Sequence, residues 1–285
     1  MQPGTFQPVT DMVGGGVFRL EPGQFTDDTS MALCLAASLV ECRRHDPLDQ
    51  IRRYVRWLRH GYMSSTDRAF DVGNATAQAL AVHERTGEAF CGSEDPRKAG
   101  NGSVMRLAPV PLAYAFDPRR GVEYSAESSM TTHRARAAVD GCRYLAALII
   151  GALAGASKDE LLRSVYEPER SMWDDQPLHP EIRAVAAGSY RQAGSSIVAS
   201  GYVVDTMNSA LWAFWKGRTF EEGLLLAVNL GDDADTVGAV YGQLAGAYYG
   251  EEGIPPEWRK RLAMSEQIRA LAVSLYELRK HLEGA

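Results

Sequence analysis

The sequence is sparse in cysteine, in long apolar runs and in net positive charge, and each shortage excludes a class of protein. The four cysteines, Cys34, Cys42, Cys91 and Cys142, are scattered and form no C-x-x-C pair. That excludes a disulfide framework, a thiolate zinc site and a C-x-x-C redox centre, and it points to a reduced, cytoplasmic protein. Cys34 and Cys142 sit in apolar helical runs and read as core packing. The longest apolar stretch, Leu145 to Ala156, is 12 residues, too short to span a bilayer. The opening MQPGTFQPVTDM has no charged n-region or apolar h-region, so no signal peptide is expected. Lys and Arg number 30 against 36 Asp and Glu, a net charge of -6, whereas a nucleic-acid binder carries a basic excess. The one basic stretch is Arg43, Arg44, Arg52, Arg53, Arg56 and Arg59. It reads as solvated helix faces, with a patch for an anionic partner as the other reading. Strand-like alternation is nearly absent, and no repeat, linker or low-complexity segment stands out.

What remains is helical. The 285 residues, 45% of them hydrophobic, suit one large domain over residues 1–285. Residues 1–25 read as loop, broken by Gly14-Gly15-Gly16 and Pro22-Gly23. From Thr29 a helix begins, with Met31, Leu35 and Leu39 at spacing four and small or apolar residues filling its other faces. Period-3.6 patterns then predict helices over 48–60, from Asp71 to about Arg85, from Glu123, and from His133 to Ala154. Further helices are predicted over Lys158–Tyr166, Glu181–Arg191, Val203–Trp215, Phe220–Asn229, Thr236–Tyr249 and Ser265–Leu282. Residues 86–104 read as loop and 104–116 as short helix or turn. The expected fold is all-α, a compact orthogonal multi-helix bundle. In the helix after Asp235, Gly238, Gly242 and Gly246 recur at spacing four. Each costs about 1 kcal/mol relative to Ala, so another backbone is expected to approach there, the other reading being small residues in a crowded helical core.

Two acidic clusters carry most of the chemistry: Thr26-Asp27-Asp28-Thr29 and Asp232-Asp233-Ala234-Asp235-Thr236. Each stands at the start of an apolar helical run. Such residues cap free backbone N–H groups and complement the helix dipole. A cap, however, uses one or two oxygens, and adjacent carboxylates repel unless a cation joins them. Five carboxylates and three hydroxyls are hard oxygen donors suited to Mg²⁺ or Mn²⁺. If the two helix starts meet, a two-metal site results. Gly100-Asn101-Gly102-Ser103 could offer backbone N–H groups to a phosphate, or be an ordinary turn. Asp71-Val72-Gly73-Asn74 could hold a reactive acid or an N-cap. Thr132-His133 opens the long helix, where a lone His is more often a cap or surface group than a catalyst. No nucleophile elbow and no H-E-x-x-H motif is present.

The segments GGGVFRLEPGQFTDDTSMALCLAASL, FDVGNAT, GNGSVMRLAPV, TTHRAR, YVVDTMNSALWAF and VNLGDDADTVGAVYGQLAGAYYG, taken in order, resemble the ADP-ribosylglycohydrolases. The likeness spans about Gly14 to Gly250 and is nearest to the dinitrogenase reductase-activating branch. It implies an all-α globule with a centre of two divalent cations, Mg²⁺ or Mn²⁺, that removes ADP-ribose from modified protein side chains. It places metal ligands at Thr26, Asp27, Asp28, Asp233, Asp235 and Thr236. Gly73, Gly100, Asn101, Gly102, Ser103 and His133 match positions near the ADP-ribose. Asp71 matches an acid beside the scissile bond, and Asp28 and Asp235 match the carboxylates that orient water; these three are the catalytic candidates. The implied partners are ADP-ribose and an ADP-ribosylated protein, dinitrogenase reductase in the nearest branch, with no membrane or nucleic acid. The implied reaction is hydrolysis of ADP-ribosyl-arginine. O-linked ADP-ribosyl-serine, O-acetyl-ADP-ribose and ADP-ribosylated nucleobases are rival substrates. A non-catalytic ADP-ribose binding module and a two-metal phosphohydrolase are rivals of another class. The sequence departs from the family in two places. A preceding helix with a GDALG-like stretch and a metal-reaching Glu is expected but missing, and Asp232 stands where relatives usually have Gly.

Overall fold

Prolines and short polar side chains mark where many of the helices begin. In the computed structural model, which describes residues 5–192 and 197–283, α1 spans Asp27–Cys42, α2 Pro47–His60 and α3 Asn74–Thr86. Then come α4 (Pro109–Ala113), α5 (Pro118–Met130), α6 (Arg136–Leu153), α7 (Lys158–Leu161) and α8 (Pro180–Ala186). The rest are α9 (Val203–Lys216), α10 (Phe220–Val228), α11 (Ala234–Tyr249), α12 (Pro256–Arg261) and α13 (Ser265–Glu283). Proline opens α2, α4, α5, α8 and α12, where its missing N–H costs nothing. Asp46 caps α2 through the Asp49 N–H (3.1 Å), Asp117 caps α5 through the Arg120 N–H (3.1 Å), and Thr219 caps α10 through the Glu222 N–H (3.1 Å). Gly61 and Gly87 end α2 and α3 in the left-handed region, as helix-stopping glycines do. Among the described residues only isolated β-bridges occur, so the expected all-α class holds.

The core is built around α6, buried from Ala137 to Ala152 and packed on α4, α5, α8, α9 and α11. α11 in turn packs on α6, α9, α10 and α1. A second apolar cluster joins α1, α4 and α13 through Leu35, Leu39, Val110, Tyr114, Leu275 and Leu278. The two helices that carry acids at their heads, α1 and α11, are therefore both wedged into apolar packing, which fixes where those heads point.

Several sequence expectations are corrected. The third helix starts at Asn74 behind an N-cap at Gly73, and Asp71 lies outside it with φ 56°. The long helix starts at Arg136, and His133 is buried in the preceding turn, bridged to Ser93. α5 begins earlier than Glu123, because Asp117-Pro118 is a stronger start signal than the pattern downstream. α7 and α8 are shorter than predicted, and α12 was not predicted. The glycine stripe of α11 meets no foreign backbone. A Cβ at Gly238 would touch only Val228 and Leu224 side chains, and at Gly242 and Gly246 it would meet nothing within 4 Å. Arg53 is not solvated either. It is buried and bonds Glu41 (2.7 Å) and Asp49 (2.6 Å), while Arg59 pairs with Glu84 and Arg44 with Asp46. Three of the six arginines are thus paired with acids, and all but Arg53 are exposed, as solvated helix faces require.

Candidate active site

The heads of α1 and α11 meet. Thr26 and Asp233 are their N-cap residues, yet neither makes a side-chain capping bond. The Thr26 hydroxyl instead lies within hydrogen-bonding reach of Asp28 Oδ2 (2.9 Å) and Asp235 Oδ2 (3.1 Å). One hydroxyl has one proton, so it donates to one carboxylate at a time or alternates between them. Asp27 and Asp28 are buried in the first turn of α1. Burial, then the neighbouring Asp28, Asp71 and Asp235, push the Asp27 carboxyl up to about 10. Burial and Asp235 push Asp28 up to about 7, although Thr26 opposes this. Burial raises Asp233, offset in part by the Asn101 amide. Asp71, at the rim, is raised to about 6 by partial burial and then by Asp235 and Asp233. No lysine or arginine is among the groups that shift these carboxyls.

Asp27, Asp71, Asp233 and Thr236 face a cleft of about 400 Å³ whose opposite wall is Gly73, Gly100, Asn101, Gly102 and His133. Asp28 is buried and does not line it, and Asp235 lines a second, separate groove. The glycine loop is held to the start of α9 by Asn101 N–H to Gly201 O (3.1 Å) and Val203 N–H to Ala99 O (3.1 Å). Its turn closes through the Val104 and Met105 N–H groups on Asn101 O (3.1 and 3.2 Å), which leaves the Gly102 and Ser103 N–H groups outside the turn's own bonds. Glycine is required at 102, because a Cβ there would come within 2.8 Å of His133 Cε1. Burial, followed by the charge of Arg106, holds His133 down at about 3, so its imidazole is neutral.

Ser103 differs from its expected place. Its hydroxyl is turned into the core, accepting from Ser129 Oγ (2.8 Å) and Cys142 Sγ (3.4 Å), which leaves only its backbone N–H for a ligand. Asn101 does more than line the cleft. Its amide reaches Asp233 Oδ2 (2.6 Å), Thr206 Oγ1 (2.9 Å) and Ser200 O (3.3 Å), tying the loop to the second acid cluster. Thr76 and Arg106 were not singled out in the sequence. Thr76 lines the cleft. Arg106 is fully buried and donates to Gly102 O (2.9 Å), Thr131 Oγ1 (3.2 Å) and Thr132 Oγ1 (2.7 Å), with its guanidinium 4.4 Å from the Tyr54 ring centre. Thr132 Oγ1 is in turn 2.8 Å from His133 Nδ1. The arginine in GNGSVMR was visible, but its inward direction was not.

The donor set suits hard divalent cations. Asp28 Oδ1 is buried with no hydrogen-bond partner, and a cation is a natural partner for such an oxygen among crowded acids. Among the described residues, no three His, Cys, Asp or Glu side chains are yet gathered into a ligating group. Asp232 is exposed, with φ 47°, a backbone conformation that glycine adopts without cost and aspartate tolerates.

The ADP-ribosylglycohydrolase family model matches residues 2–284. The chain belongs to the ADP-ribosylglycohydrolase family. It is 45% identical over 270 residues to ADP-ribosylarginine hydrolase Tri1 of Pseudomonas putida (strain GB-1), covering 94% of this chain and 70% of that protein. It is 34% identical to the ADP-ribosyl-[dinitrogen reductase] glycohydrolase of Rhodospirillum rubrum, covering 89% of this chain and 78% of that one. Among solved structures it matches an ADP-ribosylglycohydrolase-related protein complex with TM-score 0.84 and 45% identity, over 98% of this chain and 90% of that chain. No helix among the described residues is long and apolar enough to cross a membrane.

Proposed function

We propose that this member of the ADP-ribosylglycohydrolase family hydrolyses the N-glycosidic bond between ADP-ribose and an arginine side chain of a modified protein. The observation that carries the reading is the Thr26 hydroxyl lying between Asp28 and Asp235, which places two acidic helix heads at a cleft walled by a glycine loop. The cleft's volume falls within the range of small-molecule sites. The relatives named for arginine-linked hydrolysis, at up to 45% identity, support the choice of linkage.

Thr26, Asp27, Asp28, Asp233, Asp235 and Thr236 would hold two divalent cations, Mg²⁺ or Mn²⁺, which supply Lewis acidity towards the ribose hydroxyls and a more acidic water. The Gly102 and Ser103 N–H groups face the diphosphate, whose negative charge suits a nest of backbone dipoles. His133 and Thr76 pack that loop from beneath, and Asn101 sets the position of Asp233 against it. Asp28 and Asp235 orient the attacking water by accepting its protons. Asp71, at the rim, hydrogen-bonds the departing guanidinium, keeping the leaving nitrogen protonated so that it departs as neutral guanidine, or else acts as base towards the attacking water. The first role matters because arginine is a poor leaving group unless protonated. The transition state is oxocarbenium-like, as in other glycoside hydrolyses. An ADP-ribosylated protein is the partner in this reading, and dinitrogenase reductase is one candidate for it.

The test is release of free ADP-ribose from a protein carrying ADP-ribosyl-arginine, with Mg²⁺, with Mn²⁺ and with EDTA. Release that needs the metal is expected. Phosphate release from nucleotides, or release from serine-linked substrate alone, would overturn the assignment.

A further inference from the structure

The site's acids open onto two cavities. Asp27, Asp71 and Asp233 line the cleft with the glycine loop, and Asp235 lines an apolar groove of about 430 Å³. A substrate with its diphosphate at the loop and its scissile bond at the acids carries its arginine away from the loop, towards the second cavity. That end is bounded by a hairpin the proposed mechanism does not use. Gly15 and Leu20 exchange backbone bonds, Gly15 N–H to Leu20 O at 2.7 Å and Leu20 N–H to Gly15 O at 2.9 Å. Gly15 and Gly16 take the positive φ that the turn needs. Phe18 packs on Phe70 with ring centres 5.1 Å apart, and Phe70 directly precedes Asp71. On its other flank Val13 and Leu20 wall the groove that runs over Leu224, Leu225 and Val228 to Asp235.

The hairpin is unusually apolar for a solvent-facing turn. Among the described residues, seven large hydrophobic side chains are exposed, and three fall in this one segment: Val13 (62%), Val17 (83%) and Phe18 (40%). Exposed apolar residues are ordinary when scattered, but a cluster at the mouth of a site marks a contact surface. Glu21 and Asp235 in the groove have the sign that an arginine-bearing segment needs. The hairpin's own exposed Arg19 carries the opposite one, so the hairpin's contribution is its apolar surface.

We propose that the Gly15–Leu20 hairpin and its groove dock the polypeptide that carries the ADP-ribosylated arginine. The inference rests on the arginine-linked hydrolase reading and adds to it the part of the substrate beyond the sugar. Val17 and Phe18 cover apolar residues flanking the modified arginine, and Glu21 and Asp235 face the arginine-bearing stretch itself. A free ADP-ribosyl compound reaches the cleft without touching this surface.

The test compares wild type with Val17→Ser, Phe18→Ser and the double variant on two substrates. One is a protein carrying a single ADP-ribosyl-arginine, and the other is free ADP-ribosyl-arginine. The expected result is a KM for the protein substrate raised roughly tenfold or more, with kcat held and the free substrate turned over as before. Thermal melting checks folding, and Val17 is exposed enough that its replacement leaves the core intact. Equal losses on both substrates, or no loss on either, overturn the docking surface. A wild-type dimer that the double variant dissociates also overturns it, because the surface then belongs to a second copy. Inactivity of the wild type on both substrates sinks the hydrolase reading and this inference with it, whereas normal wild-type turnover with unchanged variants sinks this inference alone.

Discussion

Thr26 has the side chain and the position to cap α1, yet its hydroxyl serves Asp28 and Asp235 instead. Burial, and then crowding by neighbouring carboxylates, raises the carboxyls of Asp27 to about 10 and Asp28 to about 7, above their unfolded values near 3.8. The metal-free folded state therefore holds more protons than the unfolded chain above that pH. The contribution of these two carboxyls to stability is fully present below about 3.8 and is lost as pH rises through about 7 and on towards 10. Melting in EDTA is expected to show this decline, and added Mg²⁺ should raise the melting temperature more at pH 9 than at pH 6. Calorimetry in buffers of different ionisation enthalpy should show proton release on metal binding. Asp28→Asn and Asp235→Asn should lose more than roughly 100-fold in turnover. In EDTA at pH 8, Asp28→Asn should melt no lower than wild type, because a crowded charge has been removed. The acids were legible from spacing alone. Whether they cap or gather was not, because an N-cap and a ligand use the same residue types and only their bonding partners distinguish them. Arg106 was less legible still, since an arginine in sequence reads as surface. Its burial depends on Tyr54, Thr131 and Thr132, which arrive from elsewhere in the chain.

At the scale of elements, helix starts were readable where proline and a capping side chain coincide, as at Asp46-Pro47 and Asp117-Pro118. They were misread where a polar residue only mimics a cap. Asp71 adopts a left-handed backbone and stands free of α3, which lets it reach the rim. The glycines of α11 were read as a packing seam, but two of them meet nothing, so small size did not mark a close approach. The glycine loop is the opposite case. Gly102→Ala would push a methyl group against His133, and overpacking of this kind costs about 1–3 kcal/mol. The variant should melt lower, and its KM for substrate should rise by more than its kcat falls. Steady-state kinetics beside a melting curve checks both, and a normal KM would show that the loop does not touch substrate.

The whole molecule is closed by its own N-terminal segment. Asp11 accepts from Trp258 Nε1 (2.6 Å) and Arg261 Nη1 (2.9 Å), Val9 exchanges bonds with Asn229, and Gly23 O accepts from Ala263 N–H (2.9 Å). Gly23 has φ 95°, and a Cβ there would collide with the Arg261 carbonyl. Gly23→Ala is expected to cost about 2–4 kcal/mol, read as a lowered denaturant midpoint with the m-value unchanged. The all-α class followed from periodicity, whereas this closure did not, since nothing local in either segment names its partner. The bond from Thr26 to Asp235 spans 209 residues, and that separation has a consequence for synthesis. While the ribosome is still making the later part of the chain, the first acid cluster is already exposed with no counterpart. A nascent chain halted before Asp232 lacks the second cluster, and the proposed mechanism predicts no hydrolase activity from it, however well its early helices have formed. Under the proposed mechanism, activity therefore arises all at once, when the head of α11 has been made and meets that of α1.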